Sequence, residues 1–152
     1  MSAYEEDEDT FIAKNNMGYA YLEEQMELIK ESCDKNTALI IGLGVNDLKY
    51  SRQKYIDTIN EMAQDMDCHI FYMLVNPVDE KKEEQHGYSV ENDVIDDFNS
   101  VMEEELSSDV RIIDTNSYLK EEGFETVDGL HYDRSTYKLI YDYIKECVNK
   151  AE

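Results

Sequence analysis

The chain has 152 residues, enough for one domain whose core needs neither disulfide nor metal staples. Its 36 acidic residues stand against 14 basic ones, a formal charge of -22 with no segment that gathers Lys and Arg into a stripe. Such a surface repels phosphate backbones and anionic membranes, which argues against nucleic acid as a partner.

No apolar run approaches the roughly 18 residues of a membrane span, and no basic-then-apolar leader follows Met1. As written, the chain reads as soluble and cytoplasmic; an upstream signal segment would make it secreted or surface-exposed. Cys33, Cys68 and Cys147 lie far apart with no Cys-x-x-Cys, so neither a disulfide framework nor a zinc knuckle is indicated. The expected role of these thiols is that of small buried hydrophobes. The acidic run Glu5-Glu6-Asp7-Glu8-Asp9 lacks the alternating ligands and turn glycine of a calcium loop and reads as a solvated, frayed segment.

Taken in order, Thr10-Phe11-Ile12-Ala13-Lys14 reads as a short strand and Asn15-Asn16-Met17-Gly18 as a loop. From Tyr19 the period turns helical, with Leu22, Met26, Ile29 and Cys33 on one face. A strand over 37–43 follows, ending at Gly42-Leu43-Gly44-Val45-Asn46-Asp47. A helix over 52–66 turns Tyr55, Ile59, Met62 and Met66 inward, and a strand over 70–75 stops at Asn76-Pro77, where proline ends strand pairing. Residues 79–87 read as a charged loop hanging over the carboxyl edge of the sheet. A helix over 90–106 presents Val94, Ile95, Phe98, Val101, Met102 and Leu106. Val110 to Ile113 forms a strand ending at Asp114, and a last helix spans 135–148.

Strands and helices alternate, and the strands are continuously apolar rather than apolar at every second position. That pattern predicts a single α/β domain over 1–152, a parallel sheet covered by helices on both faces. In such a sheet the loops after the strands line one edge, where open α/β folds place their chemistry. Four segments meet there: Asn15 to Gly18, Gly44 to Asp47, Asn76 to Gly87, and Asp114 towards His131.

In Val127-Asp128-Gly129-Leu130-His131-Tyr132 a carboxylate precedes an imidazole by three residues. It can fold back in one turn, accept a hydrogen bond from Nδ1-H and leave Nε2 as a base. By default each of these residues has a plainer role: Asp-Gly makes turns, Asn46 an Asx turn, Gly42 and Gly44 a bend. His69 and His86 have no neighbours at metal-ligand spacing, and no metal or cofactor is expected.

Together, Gly44-Val45-Asn46-Asp47 and Asp128-Gly129-Leu130-His131 resemble the third and fifth sequence blocks of the SGNH, or GDSL, hydrolase family, Gly-x-Asn-Asp and Asp-x-x-His. The resemblance extends to Ile12-Ala13-Lys14, Met17-Gly18-Tyr19, Val75-Asn76-Pro77-Val78, Gly123-Phe124 and Thr126 to Tyr132, and looks like one bacterial branch of GDSL-like lipases and acylhydrolases. It implies a three-layer α/β/α, flavodoxin-like fold and a serine esterase or acylhydrolase acting on a small-molecule ester. His131 would be the general base and Asp128 its orienter. Asn46 and the Gly18 backbone N–H would be oxyanion donors, and Tyr88, Tyr132 and Asn76 would form walls of the substrate pocket.

The family begins with a strand and Gly-Asp-Ser, whose serine is the nucleophile. No Gly-Asp-Ser occurs in the chain, and Met1-Ser2-Ala3 looks like the residues just after that block. The chain thus resembles a family member that starts one strand late, lacking its nucleophile and inactive as written. In a sheet ordered 2-1-3-4-5 the absent strand lies between the strand at 10–14 and that at 37–43. Those two are then expected to close on each other, to borrow a strand from a second copy in a homodimer, or to leave the chain poorly soluble. Two other readings stay open: a hydrolase-like fold that only binds, and a flavodoxin-like nucleotide or signalling module. The last would need a phosphate loop or phosphoacceptor pocket that the sequence does not display.

Overall fold

The structure is a computed structural model and describes residues 9–151. Met1-Ser2-Ala3 and the acidic run up to Glu8 lie outside the described residues. Three strands, β1 (Ala38–Ile41), β2 (His69–Met73) and β3 (Val110–Ile113), form one sheet in that order, all parallel. Ala38 lies opposite His69, and Ile70 opposite Val110. Parallel neighbours need a long crossover. Helix α3 (Arg52–Asp65) supplies the one from β1 to β2, and α5 (Asn92–Glu105) the one from β2 to β3.

Side chains of β2 alternate between two cores, which is why the strand is apolar throughout. Ile70 and Tyr72 join Tyr55, Ile59 and Met62 of α3 and Ile95, Phe98 and Met102 of α5. Leu22 of α1 (Tyr19–Glu24) and Ile29 of α2 (Met26–Ser32) complete that face. Phe71 turns the other way, onto Ile113, Leu119 of α6 (Thr115–Glu122), and Ile140 and Ile144 of α7 (Arg134–Ala151). The result is the expected three-layer α/β/α arrangement. Tyr55 ties its core together through edge contacts with Tyr19 and Phe98 at 5.4 and 6.4 Å between ring centres.

Several expectations are corrected. Residues 10–14 form no strand, and among the described residues none pairs with the outer edge of β1. Phe11 and Ile12 are only half-buried there, without the continuous apolar run that a strand buried on both faces needs. The two strands expected to close on each other therefore do not.

The helix from Tyr19 is two helices, broken at Gln25. The charged segment at 79–87 is not a loop throughout but contains α4 (Glu80–Gln85), capped by the Asp79 carboxylate on the Lys82 N–H. The stretch after β3 likewise begins with α6, capped by Asp114 on the Ser117 N–H at 3.0 Å. The thiols are half-buried and free rather than fully buried. Cys33 and Cys68 lie together, and burial plus that neighbour pushes the Cys33 thiol up to about 11.

Candidate active site

The loop after β1 is locked to the start of α1. Asp47 Oδ2 accepts the Tyr19 N–H at 2.8 Å and Oδ1 accepts the Tyr55 hydroxyl at 2.8 Å. A Cβ on Gly18 would lie 2.6 Å from Asp47 Oδ2, so this approach requires glycine. The exposed Asn46 amide donates from Nδ2 to the Met17 carbonyl at 2.8 Å. A primary amide carries two hydrogens, and the second one is not used by that bond. The Gly18 N–H has no acceptor among the described residues, while its carbonyl caps α1 by accepting from Tyr21 and Leu22.

Beyond β2 the backbone leaves the sheet, and asparagine side chains take over as its partners. Asn99 accepts the Val75 N–H and donates to the Val75 carbonyl, both at 2.9 Å. Asn92 does the same for Val78 at 2.9 and 2.8 Å, and Asn116 adds a second donor to Val75 O at 2.9 Å. Buried main-chain groups need such partners. The segment they hold carries Asn76, whose Oδ1 accepts the hydroxyl of fully buried Thr115.

The third loop folds around one carboxylate. Asp128 Oδ1 accepts the N–H groups of His131 (2.7 Å) and Leu130 (3.0 Å), and Oδ2 meets His131 Nδ1 at 2.7 Å. A carboxylate facing Nδ1 stabilises the proton there and leaves Nε2 with its lone pair. Burial alone would raise Asp128. The His131 N–H, the imidazole and the Leu130 N–H outweigh it and hold the carboxyl down to about 2. The His131 side chain is 48% exposed, so its outer nitrogen is open to an incoming group.

These loops surround a cavity of about 260 Å³. Asn46, Asn76, His131 and Tyr132 line it, together with Asn16, which was not singled out, and an apolar floor including Leu43, Met73 and Ile140. Asn16 has φ 59, a left-handed conformation that asparagine tolerates, and the only signal for it was its place beside Gly18 in a loop. Gly18 and Tyr88 do not line the cavity. Tyr88 lies edgewise against His131 with ring centres 6.0 Å apart. Tyr132 is fixed by its hydroxyl on the Pro77 carbonyl at 2.5 Å. Among the described residues no hydroxyl bonds to the His131 ring.

A solved structure with a similar fold is the lipase/acylhydrolase from Enterococcus faecalis, with a TM-score of 0.69 across 90% of this chain and 72% of that one. The two chains share a flavodoxin-like, three-layer α/β/α fold. At 15% identity the likeness is one of fold. No protein-family model matches the chain, and no curated protein does. Helices of the described residues include none long and apolar enough to cross a membrane.

Proposed function

We propose that the chain carries the acid-base and oxyanion part of a serine ester hydrolase of the SGNH type. The nucleophilic serine would come from a segment outside these 152 residues. The observation that carries this reading is the 2.7 Å contact between Asp128 Oδ2 and His131 Nδ1 beside a cavity that Asn46 shares.

In this reading His131 Nε2 takes the proton of the serine as it attacks the ester carbonyl. Asp128 holds the tautomer and offsets the charge of the imidazolium. Asn46 Nδ2 meets the oxyanion, and such a donor contributes ~10²–10³ in rate because the charge it meets develops only in the transition state. For this, Asn46 turns its second amide hydrogen to the cavity while the first stays on Met17. The apolar floor fits the acyl part of a lipid ester or the acetyl group of a carbohydrate ester.

The test is hydrolysis of p-nitrophenyl acetate. The 152-residue chain is expected to be inactive. The same chain extended by its upstream codons, carrying Gly-Asp-Ser, should be active and lose at least ~10³-fold in kcat on His131→Ala or on replacement of the added serine. Activity that survives both changes would refute the mechanism. A second reading, a fold that binds without catalysis, is favoured by the Asn46 bond to Met17 O, which engages the amide nitrogen. Lack of activity in the extended chain would select it.

A further inference from the structure

Helix α4 carries the sequence Glu80-Lys81-Lys82-Glu83-Glu84-Gln85, and its one buried residue is an acid. Glu83 is 1% exposed. Its Oε1 accepts the Val90 N–H at 2.6 Å, while Oε2 has no hydrogen-bond partner among the described residues. A helix that buries no apolar side chain is not held by hydrophobic packing, so polar contacts decide where it sits.

One contact, the Asn92 N–H on the Glu80 carboxylate at 2.7 Å, leads to the start of α5, and two lead to the segment around the Asp128–His131 turn. The Asp79 N–H donates to the Gly129 carbonyl at 2.9 Å, and Lys82 Nζ donates to the Thr126 carbonyl. Gly129 has φ 93, and a Cβ there would fall 2.2 Å from Glu83 N, so the two backbones touch with no room for a side chain. From the other end of Glu83, its carbonyl accepts the N–H groups of His86 (3.0 Å) and Tyr88 (3.1 Å), and its carboxyl holds Val90. The 86–90 turn built this way is the one that brings Tyr88 against His131.

We propose that Glu83 is the positioning residue of the Asp128–His131 pair: its backbone is the seat of the 128–131 turn, and its carboxyl fixes the turn that lays Tyr88 on the imidazole. The catalytic consequence rests on the hydrolase reading; the positioning does not. An apolar residue of the same volume could fill the space but could not accept the Val90 N–H, which accounts for an acid in a site that disfavours charge. Burial, reinforced by the nearby charges of Glu80 and Asp128 and opposed by the Val90 N–H, pushes the Glu83 carboxyl up, towards its neutral form. A neutral acid costs less there than a carboxylate with one oxygen unmatched.

Glutamine keeps the shape of the side chain and an acceptor for the Val90 N–H, whereas alanine removes both. NMR of the labelled 152-residue chain separates the two through the His131 ring signals, with Tyr88→Leu marking the displacement caused by losing the tyrosine ring current. Glu83→Gln is expected to keep the wild-type His131 shifts. Glu83→Ala should move them at least half of the way to those of Tyr88→Leu.

A folded Glu83→Ala with wild-type His131 shifts overturns the proposal, as does a Glu83→Gln displaced as far as the alanine variant. Should Glu83→Ala not fold, the wild-type chain decides. A slowly exchanging Val90 amide with a cross-peak between the Tyr88 and His131 rings supports the proposal, and the absence of either sinks it. In an upstream-extended, active chain Glu83→Ala should lower kcat about tenfold with KM little changed, and Glu83→Gln should restore it. If the hydrolase reading fails, activity is absent throughout while the His131 shifts still distinguish the variants.

Discussion

Asparagine side chains do the work of a strand where β2 runs out. Asn99 on α5 is buried and satisfies both backbone groups of Val75. Asn99→Leu would fill the volume yet leave the Val75 N–H unpartnered, with Asn116 still covering the carbonyl. The expected loss is about 2–3 kcal/mol by urea denaturation, with a displaced Asn76 in the cavity.

Asp128 gives a second prediction at this scale. Its folded-state value near 2 lies below the ordinary ~3.9, so the unfolded chain binds that proton more readily. The stabilisation it contributes is complete above about pH 4 and is lost as pH falls from 4 towards 2. Asp128→Asn should cost about 1 kcal/mol at pH 5 and close to nothing at pH 2, an outcome that chemical denaturation at the two pH values checks.

At the scale of the elements, the contact between α4 and the 128–131 turn depends on one missing side chain. Gly129→Ala is expected to push the turn from Glu83 and strain a left-handed backbone, lowering stability by about 1–3 kcal/mol and disordering α4. Circular-dichroism melts and amide exchange of 80–85 would register both. Cys33, held near 11 beside Cys68 at the close of α2, should alkylate with iodoacetamide roughly 100-fold more slowly at pH 8 than a small model thiol. Mass spectrometry over time measures that rate.

Elements defined by apolar side chains were legible from the sequence. Val110–Ile113 is the strand expected, and α3 ends one residue short of the predicted helix because both rest on side chains that the cores bury. The helices that escaped, α4 and α6, carry almost no apolar stripe. What marked them was a capping aspartate, Asp79 or Asp114, three residues before the amide it accepts. The false strand at 10–14 shows the converse, since a short apolar cluster whose side chains are only half-buried does not make a strand.

Within the site, the spacing of Asp128 and His131 encoded their contact because it closes within a single turn. Asn16, Asn99 and Glu83 were not singled out because their roles depend on backbone groups brought to them by the fold, which no local pattern records.

Across the molecule, the outer edges of β1 and β3 both lack a strand partner among the described residues, and the β1 edge is the one that bears on the site. In parallel pairing every second residue of β1 turns its N–H and C=O to β2, and the intervening ones turn theirs outward. The same edge leads into the loop holding Asn46 and Asp47, so a strand added there would end beside the cavity. Sheet order and site completion are therefore one proposition.

Hydrogen exchange of the 152-residue chain should show slow amides on the β2-facing side of β1 and fast ones on the outer side. In a chain extended upstream through Gly-Asp-Ser the outer amides should slow by at least ~10²-fold, and the melting temperature should rise, because the new strand would satisfy backbone groups that have no strand partner among the described residues. Outer amides of β1 that exchange equally in both chains would mean that the added segment does not enter this edge, and the serine would then have no route to His131.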